Sequence, residues 1–199
     1  MVGVVDLVPK LIAKRLLEPA LQLVDPLQLI CYENSLEKLL SELALHNVDL
    51  VLSDTPVTGA MKVRAFNHLL GESTIAVFGT KELARKYRKG FPKSLDGAPF
   101  LLQGRASAVR RLLETWFDSH QLRPAIRAAL LKVFGQAVER LFASPFVIID
   151  EICRQHEVEV VGQIPSIREQ FYAISAERRL KHPAVVAVSQ SARDDIFKQ

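Results

Sequence analysis

The first third of the chain alternates short apolar runs with helical periodicities. Val2-Gly3-Val4-Val5-Asp6 is an apolar run ending in an acid, and Leu7, Leu11, Ile12, Leu16 and Leu17 then recur at helical spacing over 7–18. Glu18-Pro19 stops that predicted helix, because proline removes an amide donor and restricts the residue before it. Leu27 to Glu33 reads as a second strand. Asn34, with Glu37 three places later, reads as a capping box that opens a helix through Leu36, Leu39, Leu40, Leu43 and Leu45. Val48 to Asp54 is a third strand, apolar almost throughout, as a strand buried on both faces should be. Strand, helix, strand, helix, strand with short connections predicts a parallel sheet with right-handed crossovers.

The middle is patterned differently. Val63 to Leu70 and Thr74 to Phe78 read as two extended runs on either side of Gly71. Thr80 caps a short basic helix, Lys81 to Lys89, that ends at Gly90. Asp96-Gly97 signals a turn, and Pro99 to Gln103 a short strand. Val109, Leu112, Leu113, Trp116 and Phe117 share one helix face. Pro124 is read as starting another helix, with Leu130, Leu131, Phe134, Val138, Leu141 and Phe142 facing inward. Ser144-Pro145 is read as capping a third, through Phe146, Ile149, Ile152 and Cys153. Glu157 to Val161 is a strand, Gln170 to Ser175 is extended, and a helix follows Pro183.

Extended stretches near 68–74 and 164–171 flank this middle section. Read as crossings, they take the chain out of one lobe into a second and back, a hinged plan that leaves a ligand cleft. Composition is compatible with such a protein. Of 199 residues, 49% are hydrophobic and 24% charged, which excludes a disordered or fibrous chain. The two cysteines, Cys31 and Cys153, form no CxxC pair and fit a reducing cytoplasm. No apolar run reaches the ~18–20 residues of a membrane span, and no leader pattern opens the chain. A net charge of +4 is too small to argue for nucleic acid.

Ligands of open α/β sheets bind outside the carboxyl ends of the strands. Asp6, Glu33 and Asp54 are read there, one acid after each of the first three strands. Converging carboxylates raise one another's pKa unless a cation neutralises them, so the three are a candidate monovalent-cation set. Each has a plainer role available: Asp6 as a helix cap, Glu33 in water, Asp54 in the turn before Pro56. The helix starts near Leu7 and Ser35 offer the opposite option, a small organic anion on free N–H groups. Asn34, Ser35 and Thr55 complete the candidate effector set in this half, with Gln103 and Ser144 as polar groups in the other. The five histidines form no HExxH or i, i+4 pair, and GxSxG, GxxxxGK[ST] and GxGxxG are missing. Cys31 reads as a buried small hydrophobe, and the basic run from Lys81 to Lys89 as a solvated helix face. Neither an enzyme nor a cofactor is expected.

A family resemblance sharpens this. Val48-Asp49-Leu50-Val51-Leu52-Ser53-Asp54 resembles the strand closing the first half-lobe in effector-binding domains of LysR-type transcriptional regulators. Leu112-Leu113-Glu114-Thr115-Trp116-Phe117, Gln121-Leu122-Arg123-Pro124 and Leu131-Lys132-Val133-Phe134-Gly135 resemble segments of the second lobe. Phe171 to Arg179 with His182-Pro183-Ala184-Val185-Val186 is similar to the C-terminal signature of the subgroup that activates sodium/proton antiporter genes. Phe66 to Gly71 and Phe91-Pro92 fit as well.

The resemblance implies an α/β, type-2 periplasmic-binding-protein-like domain: two Rossmann-like lobes joined by two hinge crossings. Lobe I would comprise 1–70 plus 170–199, and lobe II 71–169. The family's N-terminal winged helix-turn-helix is absent from this chain, so promoter DNA would be reached only through that missing part. The implied partners are a small effector (sodium or lithium ion, or a small organic anion) and further copies of the chain, in a homodimer or tetramer. The helix at 7–18 and the one carrying Trp116 are the candidate contact surfaces. A cytoplasmic location follows, and no membrane. The alternative is a periplasmic-type solute-binding protein for a small anion. One departure stands out: Ile126-Arg127-Ala128-Ala129-Leu130 runs straight into the predicted helix where the subgroup has an extra strand and an acidic turn.

Overall fold

In a computed structural model, residues 1–22, 28–105, 107–129, 140–179 and 182–197 are described. The chain divides into two compact units, one formed by Met1–Glu72 and Gln170–Gln199, the other by Ser73–Glu169.

The first unit begins with β1 (Val2–Val5), α1 (Lys10–Leu21), β2 (Cys31–Asn34), α2 (Leu36–Ala44) and β3 (Leu50–Ser53). The three strands are parallel, with Val4 paired to both Glu33 and Leu52, as the alternation predicts. All four residues of β3 are buried, which is why its sequence is continuously apolar. α2 lies close over the sheet because Gly3 has no side chain: a Cβ there would meet Leu39 at 2.8 Å. Its N-cap is Ser35 rather than the expected Asn34, whose Oδ1 instead accepts from the Ser35 amide at 3.0 Å. α1 starts after Pro9 and runs through Pro19 to Leu21, so the expected stop at Glu18-Pro19 is overridden. The added turn buries Ala20, and α1 packs along α6 (Pro183–Ser191), a contact no local signal announces. β2 is shorter than expected, and as the edge strand it leaves Cys31 exposed rather than buried.

The two extended runs around Gly71 are one strand, β4 (Phe66–Thr80), and the runs at 157–161 and 170–175 are likewise one, β8 (Val158–Ser175). Each passes from one unit to the other. In the first unit β8 pairs antiparallel with β3, Leu52 opposite Ala173. Gly71 is required here because a Cβ would lie 2.4 Å from Phe197, which stacks on Phe171 at 5.3 Å. His68 of β4 lies 2.9 Å from the Ser175 hydroxyl, which donates its own proton to the Glu177 carbonyl at 2.6 Å. Burial holds this imidazole below its ordinary range. The Glu177 backbone pulls it the other way, and Arg193 reinforces the lowering.

The second unit adds α3 (Lys81–Arg88), β5 (Pro99–Leu102), α4 (Ala108–Ser119), β6 (Ala125–Ala129), β7 (Leu141–Pro145) and α5 (Ile149–His156), with a 3-10 turn at Phe146–Ile148. Its strands run in the order β4-β7-β5-β6, with β7 antiparallel to β4 and parallel to β5. Thr80 caps α3 as expected, accepting from the Leu83 amide at 3.3 Å. The core gathers Ile75, Val77, Phe100, Leu113, Phe117, Leu141 and Ile164, with Phe100 edge-on to Phe117 at 5.4 Å. Trp116, on the helix offered above as a contact surface, is 8% exposed and belongs to this core.

Two expected helices are corrected. The stretch after Pro124 forms β6, whose Pro99–Ala125 pairing to β5 outweighs the helical preference of alanine. The segment expected to run straight into a helix is therefore a strand through Ala129. Leu141 and Phe142 lie in β7 rather than on a helix, and Ser144 is a strand residue opposite Ala76 rather than a cap. The rest of that predicted helix, 130–139, lies outside the described residues.

Two outcomes follow. Gly71→Ala should destabilise by about 1–3 kcal/mol through overpacking, and by clearly less in a Phe197→Ala background, measured by urea unfolding. For His68 the unfolded chain binds the proton at higher pH than the folded one, so its stabilisation is present above about pH 6.5 and is lost on acidification. The melting midpoint should fall from about pH 7 towards pH 5, and His68→Gln should flatten part of that fall.

Candidate functional site

The carboxyl ends of β1, β2 and β3 meet at one edge of the first unit because the strands are parallel and in near register. Asp6 follows β1, is exposed, and its amide donates to the Asn34 carbonyl at 3.1 Å. Glu33 is inside β2 rather than after it, and its carboxylate takes Lys10 Nζ at 2.9 Å. Both partners are well exposed, so the pair adds little stability while already neutralising the acid. Asp54 follows β3 and is 5% exposed, its Oδ1 accepting from the Thr55 hydroxyl at 3.2 Å. Ser53 closes the turn, donating to the Thr55 carbonyl at 2.7 Å and accepting from the Thr55 amide at 3.0 Å.

The structure thus places all six first-unit candidates at one edge. Among the described residues, no group of three or more His, Cys, Asp or Glu side chains is gathered tightly enough to hold a metal ion. Asp6, Glu33 and Asp54 share an edge without sharing a coordination sphere. At the same edge Ser35 caps α2, accepting from the Lys38 amide at 3.5 Å and leaving the other first-turn N–H groups to solvent or an anion.

In the second unit Gln103 follows β5, and Ser144 lies within β7, the strand parallel to β5. Ser144 is buried. Gln103 is held from both sides: its Oε1 accepts from the Ser107 hydroxyl, and its carbonyl accepts from Arg110 Nη1 at 2.9 Å. Arg110, 11% exposed, also reaches Glu114 Oε1 at 2.8 Å. Ser107, fully buried, is the N-cap of α4. Neither Ser107 nor Arg110 was expected here. Their legible signals were a serine just before the apolar face of α4 and the i, i+4 spacing of Arg110 and Glu114.

Both thiols are held above their ordinary range. Partial burial pushes Cys31 up, against the pull of the N-terminal ammonium, and burial with Asp150 and Glu159 does the same to Cys153. The basic run on α3 is a surface face whose Arg88 is taken by Glu159 at 2.9 Å and by the Val160 carbonyl at 2.7 Å.

No protein-family model matches the chain. It is 30% identical over 201 residues to the transcriptional activator protein NhaR of Escherichia coli K12, covering 98% of this chain and 66% of NhaR. The chain thus spans about two thirds of that relative's length. The regulatory domain of Synechocystis CcmR, solved in complex with 2-PG, superposes with a TM-score of 0.71 at 14% identity, covering 98% of this chain and 97% of that one. The sulfate-bound regulatory domain of Vibrio vulnificus OxyR2, an E204G mutant, gives 0.70 at 13% identity over 96% and 92% of the two chains. These two likenesses establish the fold, which is type-2 periplasmic-binding-like. With that fold and the identity to NhaR along nearly its whole length, the chain belongs to the LysR-type transcriptional regulators, as an effector-binding domain.

Proposed function

We propose that this chain is the effector-sensing and dimerising part of a LysR-type activator of the NhaR kind, responsive to sodium or lithium. The observation that carries this reading is the 30% identity to NhaR over 98% of the chain. In it, residues 1–70 with 170–199 and residues 71–169 act as regulatory lobes I and II. Promoter DNA is reached through a winged helix-turn-helix outside these residues, and the protein works in the cytoplasm as a homodimer or tetramer without catalysing a reaction. Asp6, Glu33, Asn34, Ser35, Asp54 and Thr55 supply the effector groups of lobe I, and Gln103 and Ser144 those of lobe II. An effector switches such a protein only by binding one conformation better than the other. Among the described residues no helix is long and apolar enough to cross a membrane, which accords with this reading.

A specific observation favours a second effector class. Lys10 already neutralises Glu33, and the carboxylates do not form a cluster, so the first-turn amides of α2 suit a small anion better than the acids suit a cation. Sulfate on OxyR2 and 2-PG on CcmR are ligands of the same fold.

Thermal melting in sodium, lithium and potassium chloride at equal ionic strength decides between them. Sodium or lithium should raise the midpoint above potassium, by about 2.7 kcal/mol of added stability near 100 times Kd, and Asp54→Asn should abolish the difference. Coincident curves in all three salts overturn the cation reading and leave the anion.

A further inference from the structure

We propose that the first unit carries a separate site for a small organic dianion, a dicarboxylate or a phosphate monoester, in a groove on the edge opposite Asp54. The groove is open to solvent, its charged side chains exposed, and holds about 790 Å³, within the usual range for small-molecule sites. It opens where α2 leads into β3 and where β8 ends, at the amino ends of the parallel strands. Lys62, Arg64 and Arg178 line it, and Glu177 is the acid among its walls. None of the three cations forms an ion pair among the described residues. With Glu177 counted, these side chains carry two net positive charges, which a ligand of two negative charges balances. The two guanidinium groups provide forked donors that match a carboxylate or a phosphate.

Between the cations the wall is apolar, including Phe66 and Ala176, so the groove suits a charged head on a carbon body better than a bare inorganic ion. An adjoining cavity of about 380 Å³ shares His46, Ala176 and Glu177 and adds both Asp49 and Arg179.

The test is independent of the effector reading, because the groove contains none of the carboxyl-edge residues. Phthalate and phenyl phosphate are titrated into the 199-residue chain in potassium chloride at constant ionic strength, with phenylacetate as a single-charge control. Calorimetry and melting shifts are the readouts. At least one dianion should bind in the roughly millimolar range or tighter, about tenfold better than phenylacetate. Whichever probe binds identifies the head group. Arg64→Gln with Arg178→Gln should remove that binding, and Lys62→Gln should weaken it, whereas Asp54→Asn should leave it intact. Three results overturn the proposal: no saturable binding of either dianion, equal binding of phenylacetate, or binding that survives the double arginine variant. Loss of the sodium response alone would count against the effector reading and leave this site standing.

Discussion

The first unit is made from two separate pieces of chain, and everything else in the molecule answers to that constraint. The first unit is complete only when residues after Glu169 return to it. β8 then closes the sheet beside β3, α6 lies along α1, and Phe197 seats against the bare backbone of Gly71. Without that return, the buried faces of α1 and β3 would be left against water, at roughly 25 cal/mol for each Å² of apolar surface. Two long strands, β4 and β8, carry the chain out and back. Extended backbone suits this task because a strand covers more distance per residue than a helix does.

Parallel strands also sort chemistry by edge. At the carboxyl edge of the first unit stand Asp6, Asn34, Ser35, Asp54 and Thr55, with a helix N-terminus among them. At the amino edge stand Lys62, Arg64 and Arg178 over an apolar wall. A mixed population of charges along the chain thus becomes two edges of different character, and the small net charge hides this separation. The second unit uses a tighter device. Gln103, Ser107, Arg110 and Glu114 form a connected polar set on the first turns of α4, with the charged members satisfied by near neighbours as burial demands.

Legibility followed the range of the interaction that decided each element. The strand of Val48 to Asp54, the helix faces of Leu39, Leu40 and Leu43 and of Val109, Leu113 and Trp116, and the Thr80 cap depend on neighbours a few residues away, and all were readable. Ala125–Ala129, Leu141 and Phe142 read as helical because alanine and the spacing of apolar residues favour a helix locally. They are strands because β5 lies between them with open backbone groups on both sides. Cys31 read as buried because the edge position of its strand cannot be inferred from the strand itself. In the site, the carboxyl-edge residues were legible from strand ends alone. Ser107 and Arg110 were missed because their importance lies in what they hold in place.

The sequence by itself determined the α/β alternation, the buried third strand, the two extended stretches that β4 and β8 fulfil, and the family. Each of these is written in periodicity or in contiguous motifs. Only the tertiary structure decided that β2 is an edge, that Glu33 belongs to Lys10, that Pro19 sits inside a helix, and that three scattered cations share one groove. The physical reason is common to all four: each is settled by a partner the chain meets only after folding, and a partner of that kind leaves no mark on local residue spacing.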